Sequence, residues 1–183
     1  RLYAVPAPGP VVIDGQLSDW DRSGELETYV MSATRDMQFG KIAVMYDKDA
    51  LYIGGVFRKP YLIINRHSPE ANGDRAWDAD SIQFRLTLDP TLGYPVKQTT
   101  SDAGTSDQIL HLLLWQYSDR QEACLQAQAS MQYHNLPGAG KFGVLPHSLY
   151  QAVWGLSTNQ NEATYEYRIP WATLGAKRPM QGG

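Results

Sequence analysis

From position 81 the chain alternates without a break: Ile82, Phe84, Leu86 and Leu88 are apolar, while Ser81, Gln83, Arg85 and Thr87 are polar. A side-chain period of two fits a β-strand with one buried and one polar face. It does not fit a helix, whose apolar stripe recurs with a period of about 3.6. The same alternation returns in Ile42, Val44 and Tyr46, in Leu125, Ala127, Ala129, Met131 and Tyr133, and in Ala163, Tyr165, Tyr167 and Ile169. The stretch 109–117 is apolar on both sides, as a central strand is. Stretches 27–34, with Tyr29 and Met31 on one face, and 149–156 read as further strands. Asp47-Lys-Asp-Ala50 breaks 41–57 into a hairpin. Gly54-Gly55 marks a bulge or a close approach of other atoms to the backbone.

Pro6, Pro8 and Pro10 make the start of the chain an extended edge, because proline cannot donate to a sheet ladder. Ser18 or Asp19 caps a short turn that brings Leu17 and Trp20 in as an end plug. Pro170 and Gly175 bracket a second helical turn, in which Trp171 and Leu174 plug the structure. Proline, glycine and polar residues turn 59–76 and 136–148 into long loops. The expected architecture is an all-β, immunoglobulin-like β-sandwich. It has two antiparallel sheets, about eight to ten strands and short helical turns, in one domain spanning the chain.

Composition removes several functions. Of 183 residues, 43% are hydrophobic, enough for a real core. A net charge of −3 argues against a phosphate-binding surface, so no nucleic-acid partner is expected. No apolar run is long enough to span a membrane. The single cysteine, Cys124, excludes an internal disulfide and a Cys-based metal cluster. None of His67, His111, His134 and His147 has a metal-ligand spacing to another His or Cys, so zinc is not expected. There is no Gly-x-Ser-x-Gly, and no base neighbours Cys124 in sequence. Asp78 and Asp80 could serve as an acid/base pair, but they read better as carboxylates capping the strand entrance, holding a cation or pairing with Arg75. The chain is therefore not expected to be an enzyme. Asp14, Asp47 and Asp49 lie in turns, where carboxylates and backbone carbonyls suit Ca2+.

Trp77, flanked by Asp74, Asp78 and Asp80, leads the polar row of the 81–88 strand. An exposed indole beside hydrogen-bonding side chains can carry a sugar: the ring stacks on C–H groups while Gln83, Arg85 and His111 pair with hydroxyls. The competing reading puts Trp77 over the core as a cap.

Four segments carry a resemblance. They are Val12-Ile-Asp-Gly-x-Leu-x-Asp-Trp20, Val44-x-Tyr-Asp-x-x-Ala-Leu-Tyr-Ile53, Trp77-x-x-Asp-Ser-Ile-Gln-Phe84 and Tyr165-x-Tyr-Arg-Ile-Pro-Trp171. In this order the chain resembles the family 9 carbohydrate-binding modules (CBM9). The resemblance implies a non-catalytic carbohydrate-binding β-sandwich that often holds calcium, in a secreted, periplasmic or cell-surface protein with further domains. Trp77 matches one of two tryptophans that hold the sugar. Gln83 falls where the family usually has Glu, and His111 falls near a position where a characterised member has Arg. The second tryptophan belongs to strands after the Pro-Trp turn, expected beyond Gly183 in a longer polypeptide. Within this chain, Trp115 or Trp154 is the expected substitute. Relatives in the same superfamily bind b-type haem through Met with His or Lys, so an electron-transfer module using Met31, Met45 or Met131 with His111 is the alternative reading. A third is an interaction domain whose ligand site has decayed.

Overall fold

The computed structural model describes residues 2–86, 110–129 and 143–176, with the side chains of 128 and 129 left aside. Among these residues nine strands form: β1 (Ala4–Pro6), β2 (Leu26–Thr28), β3 (Phe39–Tyr46), β4 (Ala50–Arg58), β5 (Ile82–Leu86), β6 (Leu110–Tyr117), β7 (Glu122–Ala129), β8 (Gln151–Leu156) and β9 (Glu162–Pro170). They make a six-stranded sheet, ordered β1-β3-β4-β9-β8 with β2 also on β3, and a three-stranded sheet ordered β5-β6-β7. All pairings are antiparallel except β1 with β3, which is parallel. The expected continuations through Thr87 and Leu88, back to Ile109 and on to Tyr133 lie outside the described residues, as does the tail from 177.

The sandwich follows from the alternation. Leu51 and Ile53 on β4, Ala163, Tyr165, Tyr167 and Ile169 on β9, Ile82 on β5, Leu110, Leu112 and Leu114 on β6, and Leu125 and Ala127 on β7 all join one buried cluster. Tyr167 crosses from one sheet to the other. Its hydroxyl donates to the Cys124 carbonyl at 2.9 Å and accepts the Trp154 indole N–H at 2.9 Å. These bonds satisfy polar atoms that would otherwise be costly at such depth. Trp171 and Leu174 close one end, with the Trp171 N–H on the Asp47 carbonyl at 2.9 Å.

Several expectations need correction. The strand expected over 27–34 ends at Thr28, and Ser32–Thr34 is a 3-10 turn, leaving Tyr29 and Met31 exposed. Trp20 does not plug an end. It lies on the outer face of the six-stranded sheet with Ala43, Met45 and Tyr52. The expected wet faces of β7 and β9 are partly covered, and both Gln126 and Glu166 are buried. Segment 143–145 runs antiparallel along the edge of β7. The Ala127 N–H donates to the Gly143 carbonyl at 3.0 Å and the Leu145 N–H to the Leu125 carbonyl at 2.8 Å, so this edge of the sheet is paired.

Gly54-Gly55 marks a close approach on both counts. A Cβ at Gly54 would lie 2.6 Å from the Trp20 ring, and one at Gly55 1.8 Å from the Lys41 carbonyl oxygen.

Candidate functional site

The outer face of the three-stranded sheet carries most of the expected ligand residues. The register pairs Gln83 with Leu113 and Arg85 with His111. Paired residues share a face, so Gln83, Arg85, His111, Leu113 and Trp115 all belong to the outer one. Gln83 and Arg85 are exposed, while His111 is 8% exposed.

Over the far end of this face lies the segment from Lys59 to Asp80, anchored by a residue that no periodicity could single out. Asn65, buried, exchanges hydrogen bonds with Ser118: its N–H donates to the hydroxyl at 2.9 Å, and its carbonyl accepts the Ser118 N–H at 2.8 Å. Its side-chain amide donates to the carbonyls of Ala76 (2.9 Å) and Asp80 (3.1 Å) and accepts the His67 N–H at 3.0 Å. Asp80 accepts Lys59 at 2.5 Å and the Ile64 N–H at 2.7 Å. Asp78 pairs with His67 at 2.5 Å and Arg75 at 3.0 Å. Burial pushes the Asp78 carboxyl up, but the bonds from Arg75 and His67 outweigh it and hold the group below its ordinary value. Both carboxylates are thus engaged in ion pairs, as the pairing with Arg75 foresaw.

These bonds fix a 3-10 turn, Gly73–Asp78. Its Ala76 is buried against Leu113 and Trp115. Gly73 lies against the same ring: a Cβ there would meet Val144 at 2.8 Å and Trp115 at 3.4 Å. Trp77, next to Ala76, is 57% exposed. The open indole thus sits on a turn clamped to the sheet face that shows Gln83 and Arg85.

Trp115 does not contribute. It is 0% exposed, beneath Ala76 and Gly73, and its indole N–H donates to the His67 carbonyl at 3.1 Å. Alternation put it on the correct face, but the 59–80 segment covers that end. It therefore supports the turn from below instead of offering a ring.

The expected calcium residues do not converge. Asp47 accepts the N–H groups of Asp49 (2.7 Å) and Ala50 (2.8 Å) and the Tyr52 hydroxyl (2.7 Å), so its carboxylate closes the β3–β4 turn. Asp49 is exposed beside Lys48 at 3.3 Å, and Asp14 accepts the Gln16 N–H at 2.9 Å. Among the described residues, no three metal-ligating side chains that come together include any of them. The haem alternative meets a similar obstacle. Met45 is buried with Trp20 outside the six-stranded sheet, whereas His111 is outside the three-stranded one. Met31 is exposed, and Met131 lies outside the described residues. Cys124 is buried, and burial pushes its thiol up to about 12, which leaves it unsuited to nucleophilic work.

No family model and no curated protein matches the chain. Solved structures similar to it include two carbohydrate-binding modules. One is a carbohydrate-binding module family 9 domain from Caldicellulosiruptor kristjanssonii in complex with glucose, with a TM-score of 0.50 and 15% identity over 98% of this chain and 72% of that one. The other is a family 9 module from the same organism in complex with cellotriose, with a TM-score of 0.51 and 16% identity over 100% of this chain and 71% of that one. The likeness is one of fold: the chain is a CBM9-like β-sandwich.

Proposed function

We propose that this CBM9-like sandwich is a non-catalytic carbohydrate-binding domain in which a sugar ring rests on Trp77. The observation that carries the reading is the exposure of that indole, 57%, on a turn held rigidly against the sheet. A ring that is already fixed loses little freedom on binding. Gln83 and Arg85, exposed on the same sheet face, supply hydrogen bonds to hydroxyls, with His111 at the floor. The two similar modules hold glucose and cellotriose, which makes short neutral glucans the first ligands to try. Gln83 is neutral, so its bonds lack the strength a carboxylate would give. An open site of this kind binds in the micromolar to millimolar range, about −8 to −4 kcal/mol.

The non-catalytic part of the reading is supported by Asp78 and Asp80, whose carboxylates are held in ion pairs. The setting proposed with it is a secreted, periplasmic or cell-surface protein in which this domain accompanies others. Isothermal titration with glucose, cellotriose and a wider glycan panel tests the proposal. Heat that saturates at one equivalent and disappears in Trp77→Ala supports it. Silence across the panel, or an unchanged isotherm in Trp77→Ala, rejects it in favour of an interaction domain with a decayed site.

A further inference from the structure

Glu122, Cys124 and His147 are the only group of three metal-ligating side chains that comes together among the described residues. One ligand atom of each lies within 4.8 Å of the others. Glu122 and Cys124 are alternate residues of β7 and share its outer face. His147 lies 25 residues beyond Glu122, on the 3-10 turn His147–Leu149. It is delivered there by the pairing of 143–145 along β7. The Tyr150 hydroxyl on the Ala123 carbonyl (3.1 Å) and the Thr173 hydroxyl on the Leu149 carbonyl (2.7 Å) hold the turn in place.

We propose that these three side chains form a binding site for a borderline-soft divalent cation, Zn2+ in the first instance, with the fourth position left to water. The donor set is one sulfur, one imidazole nitrogen and one carboxylate oxygen. That combination suits tetrahedral Zn2+ and does not suit Ca2+ or Mg2+, which take oxygen.

The surroundings are arranged for it. Arg120 holds the Oε2 atom of Glu122 at 2.5 Å and is itself held by Glu70 at 2.6 Å, which leaves Oε1 turned toward His147 at 2.6 Å. Such outer contacts orient a metal ligand. Zinc bonds of about 2.0–2.3 Å place tetrahedral donors about 3.3–3.8 Å apart. The Glu122–His147 contact therefore opens by about 1 Å, a side-chain adjustment available to an exposed histidine. With the thiolate formed, Glu70, Glu122, Cys124 and Arg120 sum to two negative charges, which the cation neutralises. Binding displaces the thiol proton to solvent and leaves no redox change to balance. The bound metal would tie β7 to the returning chain.

The test is titration of the chelator-treated protein with Co2+, followed by competition with Zn2+. The expected result is one equivalent of Co2+ with a thiolate-to-cobalt charge-transfer absorption, removed by Zn2+ and absent in Cys124→Ala. His147→Gln replaces an exposed side chain and should leave folding intact, while affinity falls by at least on the order of tenfold. Absence of binding overturns the proposal. So does binding without the thiolate band, or affinity unchanged in His147→Gln.

Discussion

Trp20 and Trp77 each lie over the outer face of a sheet, and their fates are opposite. Trp20 is 7% exposed, its indole N–H bonded to Glu166 at 2.7 Å and its ring edge-on to Tyr52 at 6.4 Å. Trp77 is 57% exposed. The difference lies in what is underneath. Below Trp20 the six-stranded sheet presents Gly54, whose missing side chain makes room for the ring, and a buried carboxylate that accepts its proton donor. Below the 73–78 turn the three-stranded sheet presents Leu113 and Trp115, and the small Ala76 fills the available space. The larger neighbour is left outside. A tryptophan is thus a packing element where the sheet beneath it is hollow and polar, and is left exposed where the sheet is already full.

The largest expected effect belongs to the buried ring. Trp20→Ala should destabilise the fold by about 3–5 kcal/mol, read as a lower denaturant midpoint. A loss no greater than that of Trp77→Ala would break the comparison. Glu166→Gln comes next. The carboxylate accepts the Trp20 indole N–H and the backbone N–H groups of Asp14 and Gly15. An amide must turn its own donors toward some of them, at a cost of about 1–3 kcal/mol. Gly54→Ala drives a methyl into the same indole, at 2.6 Å, and should cost about 1–3 kcal/mol by overpacking. Trp77→Ala should change stability by less than about 0.5 kcal/mol while removing the sugar-binding heat.

Acidity separates the two regions by sign. Burial holds the Glu166 carboxyl above its ordinary value, against the bonds from Gly15, Trp20 and Asp14. A raised acid contributes its stability fully below the unfolded value, about 4.3, and loses it as pH rises through the folded one. The wild type should therefore lose ground relative to Glu166→Gln as pH rises above about 4.3. Asp78 is held below its ordinary value, so its contribution is present above that value and fades as pH falls. Protection factors against hydrogen exchange at 73–78 should fall on acidification while those beneath Trp20 hold. An equal fall in both places would show that the two covers open together.

Much of this was legible in advance. Alternation located β3, β5, β7 and β9, an apolar run located β6, the Asp47 turn placed the first hairpin, and Pro170-Trp171 marked the end plug. Gln83 and Arg85 lie exposed on one face of the three-stranded sheet, and Trp77 is exposed as well. The misreadings share one cause. Trp115 and Glu166 were each assigned to the correct face of a strand, yet each is buried, because a segment from elsewhere lies on that face. The strand expected at 27–34 failed differently: continued past Thr28 in the same register, it would run beyond Phe39, where β3 begins.

Asn65, Glu166 and the Glu122–Cys124–His147 group emit no periodic signal. Their partners lie far along the chain, as with the Trp20 bond to Glu166 across 146 positions. What the amino-acid order determined by itself was therefore the set of strands and the side each residue takes. Pleating is a local property of the backbone, complete within a few residues. What the tertiary structure decided was which outward faces stay wet. That depends on where long loops come to rest, and on whether the surface they meet has room for the side chain they carry.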